Sequence, residues 1–260
     1  MRPPVVLVHG AFCGSWALEP MRWVFEARGH QAYCPTLRHH QPESRSRIPP
    51  ELGQTSLLHY CKDLEEDILA GLDEPPILVG HSMGGLICQM LAARNRVRAL
   101  CLLAPSPPWG VLPSTTLEVM SAQGLFLVAG QFWKQALVPN FSLAAEHTLD
   151  RLSPAAQREV FSRFVPESGR AMFEILHWPA DTQRASAVNT NRVACPVLCV
   201  TGSKDKVNPS GTVRRIAARY ELGTFYELKG FSHWLIGEPG WEDVVGVCMD
   251  WLDSMGLARA

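Results

Sequence analysis

The fold is decided by one stretch, Ile77-Leu78-Val79-Gly80-His81-Ser82-Met83-Gly84, which joins an apolar run to a segment with helical periodicity. The run before the turn predicts a strand, and the apolar positions after it predict a helix that begins at Met83. A strand-to-helix turn this tight forces its central residue, Ser82, into strained backbone geometry and lifts its side chain clear of the sheet. The glycines two positions before and after Ser82 let neighbouring backbone pass closely. We therefore expect Ser82 to project from the carboxyl end of a strand.

Strands and helices alternate on both sides of this turn. The predicted strands are Val5–Val8, Gln31–Leu37, Ile77–Gly80, Val97–Ala104, Val197–Val200 and Thr224–Leu228. The predicted helices are Trp16–Arg28, Ser56–Gly71, Met83–Arg94, Pro209–Tyr220 and Trp241–Met255. Repeated strand, helix and strand units predict an α/β fold with a mostly parallel, doubly wound sheet and helices on both faces. The core of this fold is expected to comprise residues 1–106 and 188–260.

The alternation breaks between residues 107 and 187, which we interpret as a helical cap inserted into the core. The helices predicted within it are Thr115–Ala129, Ser142–Leu152, Pro154–Phe164 and Glu167–Leu176. The insert holds nine of the 22 aromatic residues. We expect some of these nine to pack the insert onto the core and others to line an apolar pocket. The candidate substrate-binding residues are all aromatic: Phe12, Trp109, Phe126, Trp133 and Trp234.

Composition excludes several classes of function. The chain has 260 residues, of which 47% are hydrophobic and 19% charged, and this excludes disordered and fibrous proteins. A net charge of −1 provides no basic field for nucleic acid or an anionic membrane surface, so a small neutral or apolar partner is favoured. No apolar run is long enough to span a membrane, and no export signal is recognisable.

The eight cysteines lie mostly in apolar segments, without the paired spacing of a disulfide framework or a zinc site. We therefore expect reduced thiols, a cytoplasmic location and no bound metal or cofactor. Cys195 and Cys199 are interpreted as core residues. The run Arg38-His39-His40 is interpreted as a solvated loop cluster rather than a metal site.

A serine hydroxyl becomes a useful nucleophile when a base removes its proton, and the base needs an acid to hold its tautomer. Where a serine lies on such a turn, the acid and then the histidine follow it along the chain. His147 and His177 lie in predicted helices of the insert, whereas His233 lies in a loop after the last strand. The sequence therefore predicts His233 as the base for Ser82.

Asp205 is the predicted acid, because it follows the strand Val197–Val200 in the loop before Pro209. The preceding strand ends without a carboxylate. A solvated turn residue between Lys204 and Lys206 is the alternative for Asp205.

An oxyanion formed at Ser82 needs backbone N–H donors. The amide of Met83, at the start of a helix, is one predicted donor. The amide of Ala11 is the other, in a loop that Gly10 and Gly14 leave free to approach.

These motifs, with His9-Gly10, Gly80 to Gly84, Gly202 to Asp205 and Ser232-His233, resemble the α/β-hydrolase superfamily over essentially the whole chain. The resemblance implies the parallel sheet, a cap insert after the strand that the family numbers six, and the triad roles of Ser82, Asp205 and His233. The chain opens at the strand that leads into His9-Gly10, so two leading strands common in larger members of the superfamily are expected to be absent. This short form, with Val6-Leu7-Val8-His9-Gly10-Ala11 and Trp16, is similar to the plant methylesterase and hydroxynitrile lyase branch. Lyases of that branch carry a hydroxyl residue and a lysine where this chain has Gly10 and Trp234, so ester hydrolysis is favoured.

Three functions remain open on these grounds. A hydrolase of small to medium apolar carboxylic esters is the leading hypothesis. A cofactor-free perhydrolase or haloperoxidase would use the same triad, with peroxide in place of water. A non-catalytic ligand-binding scaffold is disfavoured because no triad member is missing. The oligomeric state is not encoded in any motif.

Overall fold

The computed structural model describes residues 2–116, 118 and 131–257. A six-stranded, wholly parallel sheet forms the centre. Its strands are β1 (Val5–Val8), β2 (Ala32–Tyr33), β3 (Ile77–His81), β4 (Ala99–Leu103), β7 (Val197–Gly202) and β8 (Gly223–Leu228). They lie side by side in the order β2-β1-β3-β4-β7-β8. The predicted α/β fold with a doubly wound parallel sheet is thereby confirmed.

Helices cover both faces of this sheet and create two apolar cores. On one face lie α2 (Leu57–Asp67), α3 (Met83–Ala92) and α7 (Ser210–Ala217). On the other lie α1 (Glu19–Ala27) and α8 (Trp241–Ser254). Successive side chains of a strand point to opposite faces. Val6 and Val8 accordingly join the first core, and Val5 and Leu7 the second. Burial on both faces explains why β1 and β4 are continuous apolar runs.

The sheet register brings the loops that carry the candidate residues to one edge. Val8 pairs with Gly80, so the loop after β1 begins beside the turn at Ser82. His81 pairs with Leu103. Gly202 pairs with Leu228, so the loops with Asp205 and His233 leave the same carboxyl edge. Ligand sites of open α/β sheets form at this edge.

Several predicted elements are shorter in the structure, and prolines explain the changes at β2 and α1. The strand predicted at Gln31–Leu37 ends at Tyr33, because Pro35 has no backbone N–H for a ladder. The helix predicted from Trp16 begins instead at Glu19, after a short 3₁₀ turn, since Pro20 is tolerated in a first turn but not in a helix interior. The helix predicted from Ser56 begins at Leu57 with Ser56 as its N-cap, because the Ser56 side chain accepts a hydrogen bond from the amide of Leu58.

The insert between β4 and β7 contains α4 (Phe141–His147), α5 (Pro154–Phe161) and α6 (Gly169–Leu176). It also contains a two-stranded antiparallel sheet of β5 (Ala136–Leu137) and β6 (Glu167–Ser168), so the prediction of a helix from Glu167 is wrong at its first two residues. Ser168 is the N-cap of α6, which fixes the helix start one residue later. Most of the predicted helix Thr115–Ala129 lies outside the described residues.

All eight cysteine thiols are free and seven are buried, with Cys195 and Cys199 in the core as predicted. Short 3₁₀ helices occur at Ser15–Ala17, Pro42–Arg45, Leu52–Gln54, Leu69–Gly71, Phe132–Lys134, Trp178–Ala180 and Thr190–Arg192. Within the described residues, no helix is both long and apolar enough to cross a membrane.

Candidate active site

Ser82 sits on the strained turn that the sequence predicts. Its φ of 54° and ψ of −120° are a left-handed conformation that non-glycine residues rarely adopt. A β-carbon at Gly84 would collide with the carbonyl oxygen of Val8, so the close packing of this turn requires glycine there. The backbone of Ser82 is fixed on both sides: its amide donates to Leu103 O (3.0 Å) and its carbonyl accepts from Ser106 N (2.9 Å).

The structure brings Ser82, His233 and Asp205 into one hydrogen-bonded row. Nδ1 of His233 donates to Oδ2 of Asp205 at 2.9 Å, because a carboxylate can only accept. Nε2 of His233 is then free to accept from the Ser82 hydroxyl, whose Oγ lies 3.0 Å away. All three residues are buried. This arrangement can withdraw a proton from Ser82 while holding the resulting imidazolium against a carboxylate.

Asp205 is buried between two exposed lysines, at 6% exposure. Its Oδ1 accepts from the amides of Val207 and Asn208, both at 2.8 Å. The ammonium of Lys206 turns away to Asp150 of the insert, at 2.8 Å. The geometry of Asp205 is therefore that of an oriented acceptor rather than a solvated turn residue.

His81 supports the loop that carries His233. Its Nε2 donates to the backbone carbonyl of His233 at 2.9 Å. Burial, with the nearby His233 ring as a smaller cause, lowers the pKa of His81 to about 3, so its ring is neutral near pH 7. A second support is Glu238, which accepts from the amide of Ser232 at 2.7 Å. Neither residue was identified from the sequence as part of the site.

The two predicted oxyanion donors belong to elements that pack at Ser82, namely the start of α3 and the loop after β1. Met83 is the first residue of α3, so its amide has no acceptor within the helix. Ala11 lies in the loop after β1, where a β-carbon on the adjacent Gly10 would be 3.1 Å from the Ser82 β-carbon. The amide of Phe12, the next residue in that loop, is already used by the Glu167 carboxylate.

His40 is buried, so its interpretation as part of a solvated cluster is wrong. Its Nε2 lies 2.9 Å from Oε2 of Glu167, a carboxylate in β6 that is also buried. The two residues are 127 positions apart, and no local pattern in the sequence relates them. Among the described residues, no group of three or more His, Cys, Asp or Glu side chains could hold a metal ion.

The aromatic candidates for substrate binding occupy different environments. Phe12 is half-buried in the loop beside Ala11, whereas Trp234 is buried against Trp16 and His81. Trp109 packs edge-on against Trp178, with the ring centroids 5.1 Å apart. Phe126 lies outside the described residues.

Trp133 lines a cavity of about 560 Å³ together with side chains of α2, α6 and neighbouring loops. The remaining lining residues are Gln54, Ser56, Leu58, His59, Lys134, Arg170 and Gln183. Ser82, Asp205 and His233 are not part of this lining, so Trp133 faces a space separate from the hydrogen-bonded row.

Known proteins with similar sequences and structures include esterases. The chain is 27% identical to the pimeloyl-[acyl-carrier protein] methyl ester esterase of Chromobacterium violaceum over 203 residues. This alignment covers 72% of this chain and 74% of that protein. The fold matches a monoacylglycerol lipase of Paleococcus ferrophilus with a TM-score of 0.68 and 22% identity, over 98% of this chain and 96% of the other.

Polyneuridine aldehyde esterase, of the plant methylesterase type, matches with a TM-score of 0.69 and 16% identity, over 96% of this chain and 99% of the other. The sequence relatives support ester hydrolysis as the general activity, and the structural likenesses show the fold. The sequence pattern of the alpha/beta hydrolase family matches residues 5–245, so the chain belongs to that family.

Proposed function

We propose that the protein is a serine hydrolase that cleaves carboxylic esters of small to medium apolar substrates through an acyl-enzyme. The observation that carries this proposal is the hydrogen-bonded row from Ser82 through His233 to Asp205. A serine that merely caps a helix needs neither a buried imidazole at 3.0 Å nor a carboxylate behind it. Both are the requirements of nucleophilic catalysis by serine.

In the first half-reaction, Ser82 Oγ attacks the ester carbonyl carbon while its proton passes to Nε2 of His233. Asp205 keeps the imidazole in the Nδ1–H tautomer and stabilises the imidazolium that forms. The C–O bond to the alcohol then breaks, and the leaving oxygen takes the proton from His233. Water attacks the acyl-enzyme in the second half-reaction, with His233 again as base, and releases the acid and free Ser82.

In this proposal, the amides of Met83 and Ala11 donate hydrogen bonds to the oxyanion of the tetrahedral intermediate and so stabilise its negative charge. The position of Met83 at a helix N-terminus supports this role, because the helix dipole favours negative charge there. The close approach of Gly10 to Ser82 supports it for Ala11.

We further propose that residues 107–187 act as a cap over this site, with residues 1–106 and 188–260 as the catalytic core. Contacts between the insert and the loops of the site support the cap. Lys206 pairs with Asp150, and the ring of Phe164 packs against both Trp16 and Trp234. Free, mostly buried thiols support a cytoplasmic location.

Labelling with a fluorophosphonate probe, followed by mass spectrometry of the labelled peptide, tests the assignment of Ser82. We expect the label on Ser82, together with hydrolysis of short p-nitrophenyl esters. Labelling of Ser106, Ser203 or Ser232 would contradict the assignment, since each lies near the site without the geometry of Ser82. An unlabelled protein that does not hydrolyse any ester from acetate to palmitate would contradict the proposed activity.

A further inference from the structure

Glu167 is a buried carboxylate that the catalytic row does not use. Both of its oxygens are fully engaged. Oε1 accepts from the Tyr60 hydroxyl at 2.9 Å and from the Ser168 amide at 2.7 Å. Oε2 lies 2.9 Å from Nε2 of His40 and accepts from the amide of Phe12 at 3.2 Å. The side chains of Glu167 and His40 are completely shielded from solvent.

The geometry makes Glu167 and His40 an ion pair. The His40 ring faces an acceptor on each side, because Nδ1 lies 2.9 Å from the carbonyl oxygen of Arg38 and Nε2 faces Glu167. Both ring nitrogens must therefore donate, as in the imidazolium. Burial opposes this charge, but the charge of Glu167 and the hydrogen bonds to Glu167 and Arg38 together outweigh it and raise the pKa of His40. Burial likewise opposes the carboxylate, yet His40 and the hydrogen bonds lower the pKa of Glu167.

A buried ion pair of this kind is a poor device for stability alone. Desolvation of two charges offsets most of their attraction, and apolar side chains of similar volume often stabilise a fold as well or better. The pair is thus better explained by the group it holds in place.

That group is the backbone of Phe12. Its φ of 61° lies in the left-handed region, which is unfavourable for a phenylalanine unless neighbouring contacts hold it there. Both of its backbone polar groups are bound by the insert: its amide donates to Glu167, and its carbonyl accepts from the amide of Val165 at 2.9 Å. The first bond fixes the peptide that joins Ala11 to Phe12, and the second fixes the peptide that joins Phe12 to Cys13.

The same bonds determine which backbone N–H of the loop is available to donate a hydrogen bond to substrate. The Phe12 amide is consumed by Glu167, while the amide of Ala11 has no acceptor among the described residues. Gly10 packs against the turn, so that an added β-carbon would be 3.0 Å from Nδ1 of His81. The Ala11 N–H belongs to the Gly10–Ala11 peptide, so it lies between Gly10, which is packed against the turn, and Phe12, which Glu167 holds. Release of Phe12 from its left-handed φ would shift Ala11 and turn its N–H away from the reacting carbonyl.

We propose that Glu167 is a positioning residue for the reaction: acting through the Phe12 amide, it aims the Ala11 N–H at the oxyanion formed on Ser82. The inference rests on the proposed function. It adds that the insert not only covers the site but completes its oxyanion hole, through a residue that does not touch substrate.

The test compares Glu167→Gln with Glu174→Gln. Glu174 is also buried in the insert, but it binds the start of α2, accepting from Leu57 N at 2.8 Å and from Ser56 Oγ at 3.0 Å. Both substitutions remove a buried negative charge and put an NH₂ donor in place of one carboxylate oxygen. In Glu167→Gln the amides of Phe12 and Ser168 then compete for the one oxygen that remains, which is uncharged and binds an N–H less strongly than a carboxylate does. We expect Glu167→Gln to lower kcat about 10- to 100-fold with KM changed less than about threefold, because loss of one oxyanion donor costs about 10²–10³ in kcat. Glu174→Gln should retain kcat within about twofold, since it leaves the oxyanion donors in place.

The affinity for a trifluoromethyl ketone is a second measurement, and a change in the stability of the fold alone would not alter it. Its tetrahedral adduct with Ser82 places an oxyanion where the substrate does, so its affinity should fall in parallel with kcat/KM in Glu167→Gln and stay unchanged in Glu174→Gln. Equal kcat in the two variants, or unchanged ketone affinity in Glu167→Gln, would overturn the inference. If Ser82 is not labelled by the fluorophosphonate in the wild-type protein, the proposed function itself fails, and this outcome is separate.

Should Glu167→Gln not fold, a triple variant with His40→Leu, Tyr60→Phe and Glu167→Leu replaces the polar cluster by apolar side chains of similar size. Such replacements commonly preserve folding. A loss of kcat at least as large is expected in the triple variant, because leucine has no acceptor for the Phe12 amide. A folded triple variant with wild-type kcat would overturn the inference.

Discussion

The turn at Ser82 and the loop from His9 to Cys13 lie against each other, yet different kinds of contact hold them. The turn is shaped by glycines within two residues of Ser82 and by strands on either side of it. The loop is held by a carboxylate 155 positions away, in a segment that interrupts the core. The turn supplies the proposed nucleophile, and the loop supplies a proposed N–H donor. A change in the turn should therefore abolish the chemistry, whereas a change in the contacts of the loop should only weaken it.

The greatest loss of turnover is expected from a substitution of Ser82, at the centre of the turn. Ser82→Ala should reduce turnover on the order of 10⁶-fold, the scale of a triad that has lost its nucleophile, with little effect on folding. Turnover of p-nitrophenyl butyrate and the thermal midpoint measure the two quantities. Ser106→Ala is the matched control, because Ser106 contacts Ser82 through its backbone amide and should keep near wild-type turnover. A Ser82→Ala protein with a tenth of wild-type activity would show that another residue is the nucleophile.

A smaller loss is expected one step away from the turn. Asp205→Asn retains the shape of the side chain but removes the acceptor that fixes the tautomer of His233, so turnover should fall by about 10⁴. Asp150→Asn is the control, since it removes a carboxylate bound to Lys206 in the same loop without touching His233. Kinetics of both variants, with their thermal midpoints, distinguish catalysis from stability. If Asp205→Asn keeps more than a tenth of wild-type turnover, Asp205 has no place in the triad.

The sequence predicted the turn and missed what holds the loop, and the reason is physical. The turn depends on local sterics, because two glycines and a strand-to-helix transition leave few conformations for Ser82. Asp205 and His233 could be predicted as well, because parallel strands bring their carboxyl ends to one edge of the sheet. The fold class followed from the same alternation of apolar segments.

Contacts of the insert had no comparable signal. Glu167 was assigned to the start of a helix and His40 to a solvated loop, and each residue alone fits that pattern. Their burial depends on how the insert packs onto the core, which neither periodicity nor composition determines. The strand pair β5 and β6 is two residues long on each side, too short for an alternating pattern.

The pH dependence of stability probes both regions, because the loop from His9 to Cys13 and the turn at Ser82 each contain one buried histidine. His9 begins the loop and His81 precedes Ser82, and burial lowers the pKa of each to about 3. Unfolding returns both to the usual value of 6.5, so the unfolded chain binds more protons below that pH. The free energy of unfolding should thus fall as the pH falls from 6.5 towards 3.

Urea unfolding at a series of pH values measures this slope. His81→Gln and His9→Gln should each reduce the slope by about one proton, or about 1.4 kcal/mol per pH unit. His40 acts in the opposite sense, because its raised pKa makes its contribution largest below 6.5 and removes it as the pH rises through the folded value. A slope unchanged by either substitution would contradict neutral burial of that histidine.

The smallest expected effect concerns the substrate rather than the protein. If apolar side chains beside the loop line the acyl site, kcat/KM should rise from acetate to butyrate esters by about fourfold for each methylene, since each buried methylene contributes about 0.8 kcal/mol. A flat or falling series would indicate that the aromatic residues pack against each other without lining the site.

The contribution of a single side chain is tested by comparing Phe12→Leu with Trp133→Leu. Phe12 adjoins the proposed oxyanion donor, whereas the cavity at Trp133 is lined by residues such as Ser56 and Arg170 and not by Ser82. We therefore expect Phe12→Leu to reduce the butyrate-to-acetate ratio with acetate turnover retained, and Trp133→Leu to leave the ratio unchanged. The reverse result would place the acyl chain in the cavity at Trp133, and the insert rather than the loop would then select the substrate.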